Sequence, residues 1–129
     1  MLAGHINPND WHFAYTQGME DARQALDIAR KKNQGLCLIN PPDSCLYMGA
    51  CFFSALLQQL STLASPTPII GIYDAGSNAG YALAAFQAGI QYVAFAGTPL
   101  VFNRLASIQQ QRGGYLLAAL CLPDLLNDG

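Results

Sequence analysis

The sequence predicts an α/β protein built on one doubly wound parallel sheet of four or five strands, either flavodoxin-like or half-barrel-like. Two observations predict it. Continuous apolar runs recur along the chain, as in strands whose two faces are both covered. Between these runs lie segments with helical periodicity, which suit parallel crossovers and are too long for hairpin turns.

The amino-terminal part predicts a short strand and an amphipathic helix. WHFAYT, residues 11 to 16, is a candidate additional first strand. DARQALDIARKK, residues 21 to 32, has apolar residues on one helical face, with acidic residues in the first turn and basic residues in the last. We expect Asn33 and Gly35 to end this helix.

The middle of the chain predicts two further βα units. The apolar run in LCLINPP, residues 36 to 42, should close near Asn40, because proline cannot donate to a central ladder. A helix is expected over GACFFSALLQQLSTLA, residues 49 to 64. TPIIGIYD, residues 67 to 74, is the next strand, and NAGYALAAFQAG, residues 78 to 89, is a helix with no face suited to water. We expect this helix to be either sandwiched within the fold or part of an interface between subunits.

The last unit completes the sheet. QYVAFAG, residues 91 to 97, reads as a strand, and TPLVFNRLASIQQQRGG, residues 98 to 114, reads as a helix. Thr98 can cap the start of this helix and Gly113 suits its exit. YLLAALCL, residues 115 to 122, is predicted to be the final strand.

The composition predicts one domain that self-associates. The 129 residues fit a single α/β domain, residues 1–129, with residues 1–10 as a frayed amino terminus. Apolar residues make up 52% and charged residues 11%, whereas typical soluble proteins have about 25% charged residues. Because so little charge is available to cover a monomer, we expect a homo-oligomer, most simply a dimer.

Other partners and locations are constrained by charge and hydropathy. A net charge of −2 gives no basic surface for nucleic acid, and every apolar stretch is interrupted before it could span a membrane. The start of the chain lacks the features of a signal peptide, so we expect a cytoplasmic protein with reduced thiols. Cys37 and Cys121 lie in predicted strands, where cysteine acts as a small apolar residue.

Asp74 is the candidate site residue. It is the one charged residue between Ser44 and Asn103, and it stands where an apolar run gives way to glycines. Ligands of open parallel sheets bind at the carboxyl ends of the strands. Asp74 is therefore a candidate general base or hydroxyl-binding carboxylate, whose pKa its apolar surroundings would raise. The predicted ligand-binding residues are Asp43, Ser44, Asp74, Gly76, Ser77, Asn78 and Thr98.

A structural role for Asp74 is the alternative. Its carboxylate could accept backbone N–H groups at the helix start or bond the neighbouring loop, with Ser77 or Asn78 as the formal cap. Thr98 would then serve as the cap of its own helix. A carboxylate at this position also disfavours a phosphate ligand, and the Gly76–Gly80 spacing does not match a dinucleotide-binding turn.

The sequence gives less support for a catalytic cysteine or a metal site. Cys45 would need a base to form a thiolate, and the sequence offers only His5 and His12, both near the amino terminus. Cysteines and histidines lack paired metal-ligand spacing, so we expect no metal and no cofactor.

Two resemblances appear in these segments. DAGSNAGYALAAFQAGIQYVAFAGTP resembles one βα unit of phosphate-binding barrel enzymes, which implies similar packing and no activity. More widely, MEDARQAL, LINPP, GACFFSALL and YDAGSNAGYALAAFQAG are similar, in this order, to a group of small uncharacterised bacterial α/β proteins with an Asp-Cys-Gly-Asp-x-x-Gly turn. Here Ala75 and Ser77 replace the cysteine and the second aspartate, so the resemblance implies no thiol or paired-carboxylate chemistry.

The sequence thus predicts a small bacterial α/β protein that acts as a homo-oligomeric binding or structural protein without catalysis. The alternative is an enzyme or small-molecule-binding protein with its site around Asp74.

Overall fold

The computed structural model describes residues 7–127. Five parallel strands form one sheet in the order β1-β2-β3-β4-β5. The strands are β1 (Trp11–Tyr15), β2 (Gly35–Ile39), β3 (Ile69–Asp74), β4 (Tyr92–Phe95) and β5 (Tyr115–Ala118). The helices are α1 (Met19–Lys31), α2 (Ala50–Ala64), α3 (Ala79–Gln87), α4 (Pro99–Gln111) and α5 (Leu122–Asn127).

The predicted α/β class is confirmed: one parallel sheet, alternating βα units and helices on both faces. The strand order is sequential, which is the order of the half-barrel-like arrangement. Each β-α-β crossover therefore places the next strand beside the previous one, always on the same side of it.

The two faces of the sheet are covered very differently. On β2, Leu36 and Leu38 pack with α1 and α2, whereas Cys37 and Ile39 join a cluster on the opposite face. Successive helices from α1 to α4 contact one another, so all four lie on one side, here called the helix face. The short α5 packs Leu122 against the other side, the α5 face. The core is thus two layers of apolar side chains separated by the sheet.

The prediction for residues 115–122 was wrong in its second half. The strand ends at Ala118, a 3-10 turn covers Ala119–Cys121, and α5 begins at Leu122. Leu122 and Leu125 are three residues apart, so a helix places both on one side, where they pack on the α5 face. Pro123 is tolerated in the first turn of this helix. Cys121 is consequently exposed and is not the buried apolar residue we expected, whereas Cys37 is fully buried.

Two predictions, the frayed amino terminus and the absence of a membrane-spanning helix, can be compared with the structure within residues 7–127. Of the residues predicted to be frayed, 1–6 lie outside the described residues, and a 3-10 turn occupies Pro8–Asp10. The division of the chain into domains stays a prediction. Within residues 7–127, no helix combines the length and the apolar character needed to cross a membrane.

Gln109 ties α4 to the turn before β4. Its side chain is 1% exposed, and its Nε2 donates to the carbonyl oxygens of Ile90 at 2.9 Å and Gln91 at 3.0 Å. Buried carbonyl groups need such donors, because an unsatisfied one costs the full desolvation free energy. Gln109 therefore stabilises the amino-terminal edge of the sheet.

We expect Gln109→Ala to lower the free energy of unfolding by about 2–3 kcal/mol, because it removes two hydrogen bonds and leaves a small cavity. The matched control is Gln110→Ala, which changes the same residue type at an exposed position of the same helix and should stay within about 0.5 kcal/mol of wild type. Urea denaturation measures both. Equal losses in the two variants would contradict this role of Gln109.

Candidate functional site

The carboxyl ends of the strands meet at one edge of the sheet, and Asp74 lies there as the last residue of β3. Side chains alternate along a strand, so Tyr73 and Asp74 point to opposite faces. Tyr73 lies under the helices, where its hydroxyl donates to the carbonyl oxygen of Met48 at 2.6 Å. Asp74 is directed, like Ile72, to the α5 face. The predicted position of Asp74 at this edge is confirmed.

The side chain of Asn40 holds the backbone of Asp74 in place. Asn40 Oδ1 accepts the Asp74 N–H at 2.6 Å, and its Nδ2 donates to the Asp74 carbonyl oxygen at 3.1 Å. The same Nδ2 donates to Ser44 Oγ at 2.9 Å. Asn40 and Ser44 are fully buried. The Asn40 amide thus acts as an extra peptide unit that prolongs the pairing of β2 with β3 and anchors the loop after β2.

The Asp74 carboxylate is half-buried and accepts one hydrogen bond among residues 7–127, from the Gly76 N–H at 2.9 Å. Gly76 has a φ of 62°, a left-handed conformation that glycine adopts at little cost. Burial raises the pKa of Asp74; the Gly76 N–H opposes this increase, and the nearby Asp43 carboxylate adds to it. A carboxylate with a raised pKa at the mouth of a parallel sheet has the character of a proton acceptor.

Two further groups lie within electrostatic range of Asp74. Burial raises the pKa of the Tyr15 hydroxyl, at the carboxyl end of β1, and the Asp74 charge raises it further. Burial and then Asp74 likewise raise the pKa of the Cys45 thiol. Cys45 is therefore held as the thiol, the less nucleophilic form. Among residues 7–127 the histidine is His12, in the amino-terminal half of β1 with Lys32 as its charged neighbour, so it is no base for Cys45.

The structure separates the predicted site residues into two groups. Gly76 donates directly to the Asp74 carboxylate, Ser44 is linked to Asp74 through Asn40, and Asp43 acts on Asp74 through charge. Asn78 and Thr98 instead cap helices: Asn78 accepts the Tyr81 N–H at 3.0 Å and Thr98 accepts the Val101 N–H at 3.4 Å. Ser77 is exposed beside Asn78. These contacts fit the structural alternative: Asn78 and Thr98 cap their helices, and the Asp74 carboxylate accepts a backbone N–H, that of Gly76, in the turn before α3.

Sequence reasoning missed Asn40 and Tyr15 as members of this cluster. The apolar pattern predicts Asn40 only as the end of a strand. A polar residue between a buried strand and two prolines nevertheless indicates a structural role, because its side chain must find hydrogen-bond partners at the sheet edge. Tyr15 offered no comparable signal. Its place beside Asp74 depends on β1 joining the sheet next to β2.

The cluster offers hydrogen-bond acceptors and thiol and phenol groups, and not a metal-binding set. Within the described part of the chain, no three histidine, cysteine, aspartate or glutamate residues are grouped so as to hold a metal ion. No protein-family model matches the chain, and no curated protein matches its sequence. The function has to be inferred from the geometry.

We expect Asn40→Ala to lower the free energy of unfolding by about 3 kcal/mol, because it leaves the Asp74 N–H and the Ser44 hydroxyl without their buried partner. Ser44→Ala is the matched control: it removes one of the three bonds and spares the two to Asp74, so about 1 kcal/mol should be lost. Urea denaturation of both variants gives the comparison. A Ser44→Ala loss as large as that of Asn40→Ala would show that Asn40 does not anchor Asp74.

Proposed function

We propose that this chain is a homo-oligomeric binding or structural protein, most simply a dimer, whose subunits meet through the outer surface of α2 and α3. We call this the α2–α3 surface. Its exposed residues are Phe52, Ala55 and Gln59 of α2 and Gly80, Leu83, Ala84 and Gln87 of α3. The proposal retains the expectation of a bacterial, cytoplasmic protein.

The observation that carries this proposal is the absence of charge from two neighbouring helices of the outer layer. Neither α2 nor α3 contains a charged residue. Phe52 is 51% exposed and Leu83 is 37% exposed. The α3 helix is not sandwiched inside the fold, so its apolar character is not explained by burial within one subunit. Such a surface is typical of a protein contact.

The neighbouring helix α1 serves as an internal comparison. It lies in the same layer, but its exposed side has alternating acidic and basic groups suited to water: Glu20, Asp21, Arg23, Asp27, Arg30 and Lys31. The contrast between helices of one layer favours a specific covered area over a generally apolar surface. In a two-fold dimer, the same α2–α3 surface would supply both sides of the contact.

We expect Leu83→Glu to convert a dimer into a monomer without unfolding the subunit, because Leu83 is exposed in the single chain and a buried unpaired charge would oppose association. The control is Ile28→Glu on α1, which introduces the same charge at an apolar side chain that is 44% exposed and lies outside the proposed contact. Phe86 is unsuitable for this test, because it is 2% exposed and belongs to the core.

Sedimentation equilibrium at micromolar concentration measures the outcome. The proposal requires a dimeric wild type, a dimeric Ile28→Glu variant and a monomeric Leu83→Glu variant with a native circular dichroism spectrum. A monomeric wild type contradicts it, and so does equal dissociation by both substitutions.

A small-molecule site around Asp74 is the second candidate, and the half-buried carboxylate with its raised pKa favours it. Ionising Asp74 costs folding free energy, because the folded state binds its proton more tightly than the unfolded state does. A group that lowers stability at a site is typical of residues retained for function. The ligand would be one that donates a hydrogen bond or a proton to the carboxylate.

Asp74→Asn tests this candidate through pH. Wild-type stability should fall as pH rises from the unfolded-state pKa of about 3.9 through the higher folded-state pKa. The variant lacks this ionisation and keeps an oxygen for the Gly76 N–H. Its stability relative to wild type should therefore be higher at pH 7 than at pH 3, as measured by urea denaturation at both values. A relative stability that is equal at the two pH values, or lower at pH 7 than at pH 3 as expected for a carboxylate whose ionised form stabilises the fold, would contradict the candidate.

A further inference from the structure

A concave site lies at the amino-terminal edge of the sheet, opposite to the edge that holds Asp74. It is a cavity of about 600 Å³ bounded by the start of β1, the end of α1 and the short helix α5. Two smaller cavities, of about 260 Å³ and 200 Å³, lie near the turn between α3 and β4. The volume of the first is in the range of pockets that hold small molecules.

One wall of this cavity is flat and apolar. Trp11 and Phe13 lie on the same face of β1, and Leu125 of α5 adds an aliphatic side chain. The Trp11 ring rests directly on β2 at Gly35, where an added Cβ would lie 2.7 Å from two carbons of the ring. The absence of a side chain at Gly35 therefore allows the indole to lie against the sheet, and the ring is only partly buried.

The polar side of the cavity is positive. Among the described residues that line it, Lys32 is the one ionised side chain, at the end of α1. His12 lines the same space, and burial followed by the Lys32 charge lowers its pKa, so it is neutral at and above pH 7. Gln34 supplies an amide whose Nε2 already donates to the carbonyl oxygen of Asn9 at 2.9 Å. No carboxylate is among these lining residues to neutralise Lys32.

We propose that this cavity binds a small organic anion with a flat apolar body, such as an aromatic carboxylate, with its carboxylate on Lys32 and its body against Trp11 and Phe13. The ammonium group attracts the anion, and the partly exposed Trp11 ring offers an apolar surface to its flat body. This site is separate from both the α2–α3 surface and the Asp74 cluster, so its test does not depend on either.

The single tryptophan of the chain reports binding directly, because Trp11 is part of the cavity. We would titrate the full chain with benzoate, and in parallel with benzamide, which has the same ring and no charge. Tryptophan emission and isothermal calorimetry measure binding at pH 8, where His12 is neutral and Lys32 supplies the positive charge. Benzoate should give a saturable change and benzamide should bind about tenfold more weakly.

The variants decide whether the cavity itself is responsible. Lys32→Gln should weaken benzoate binding about tenfold, whereas Lys31→Gln, which removes the neighbouring charge outside the cavity, should leave it within about twofold of wild type. Thermal melts establish that both variants are folded. Absence of saturable benzoate binding to wild type overturns the proposal, and equal weakening by the two lysine substitutions does so as well, because it would show attraction to net charge alone.

Discussion

The right-handed path of the β-α-β crossover is the constraint on which this structure depends. When each strand is laid beside the previous one in a constant direction, right-handed crossovers place every connecting helix on the same side of the sheet. The order β1-β2-β3-β4-β5 therefore commits α1 to α4 to one layer. The other face would be open, and the six residues of α5 contribute to its burial. The unequal covering of the two faces follows directly from the strand order.

The same constraint gathers the ends of parallel strands at common edges. At the carboxyl edge, three strand ends that are distant in sequence come together. Tyr15 is the last residue of β1, Asn40 directly follows β2, and Asp74 is the last residue of β3. The hydrogen bonds of Asn40 fix the Asp74 backbone there, and the Gly76 N–H holds the carboxylate itself. At the amino edge, the ends of α1 and α5 meet the start of β1 and enclose a cavity.

The helices of one layer differ sharply in charge. Charged residues are concentrated on α1 and absent from α2 and α3, although these helices lie in one layer. Surface composition of this kind is not needed for folding, because the buried sides of all three helices are apolar. The proposed contact through the α2–α3 surface would account for this difference. The charge of Asp74 is likewise not needed for folding. Burial raises the pKa of this carboxyl group, so its ionised form lowers the free energy of unfolding.

Local sequence determined the elements and their class. The apolar runs, the helical spacing around Leu26 and Leu60, and the caps Asn78 and Thr98 depend on residues a few positions apart. The pattern alone therefore predicted four or five strands, four helices and the position of Asp74 at a strand end. Only the tertiary structure decided the strand order, the proximity of Asn40 and Tyr15 to Asp74, and the folding of residues 122–127 as a helix. The strand order and the proximity of these side chains depend on contacts between segments far apart in the chain, and the choice of pairing partner leaves no periodic signal in the sequence. The spacing of Leu122 and Leu125 fits a helix, but burial against the α5 face decides that this apolar segment is a helix and not a longer strand.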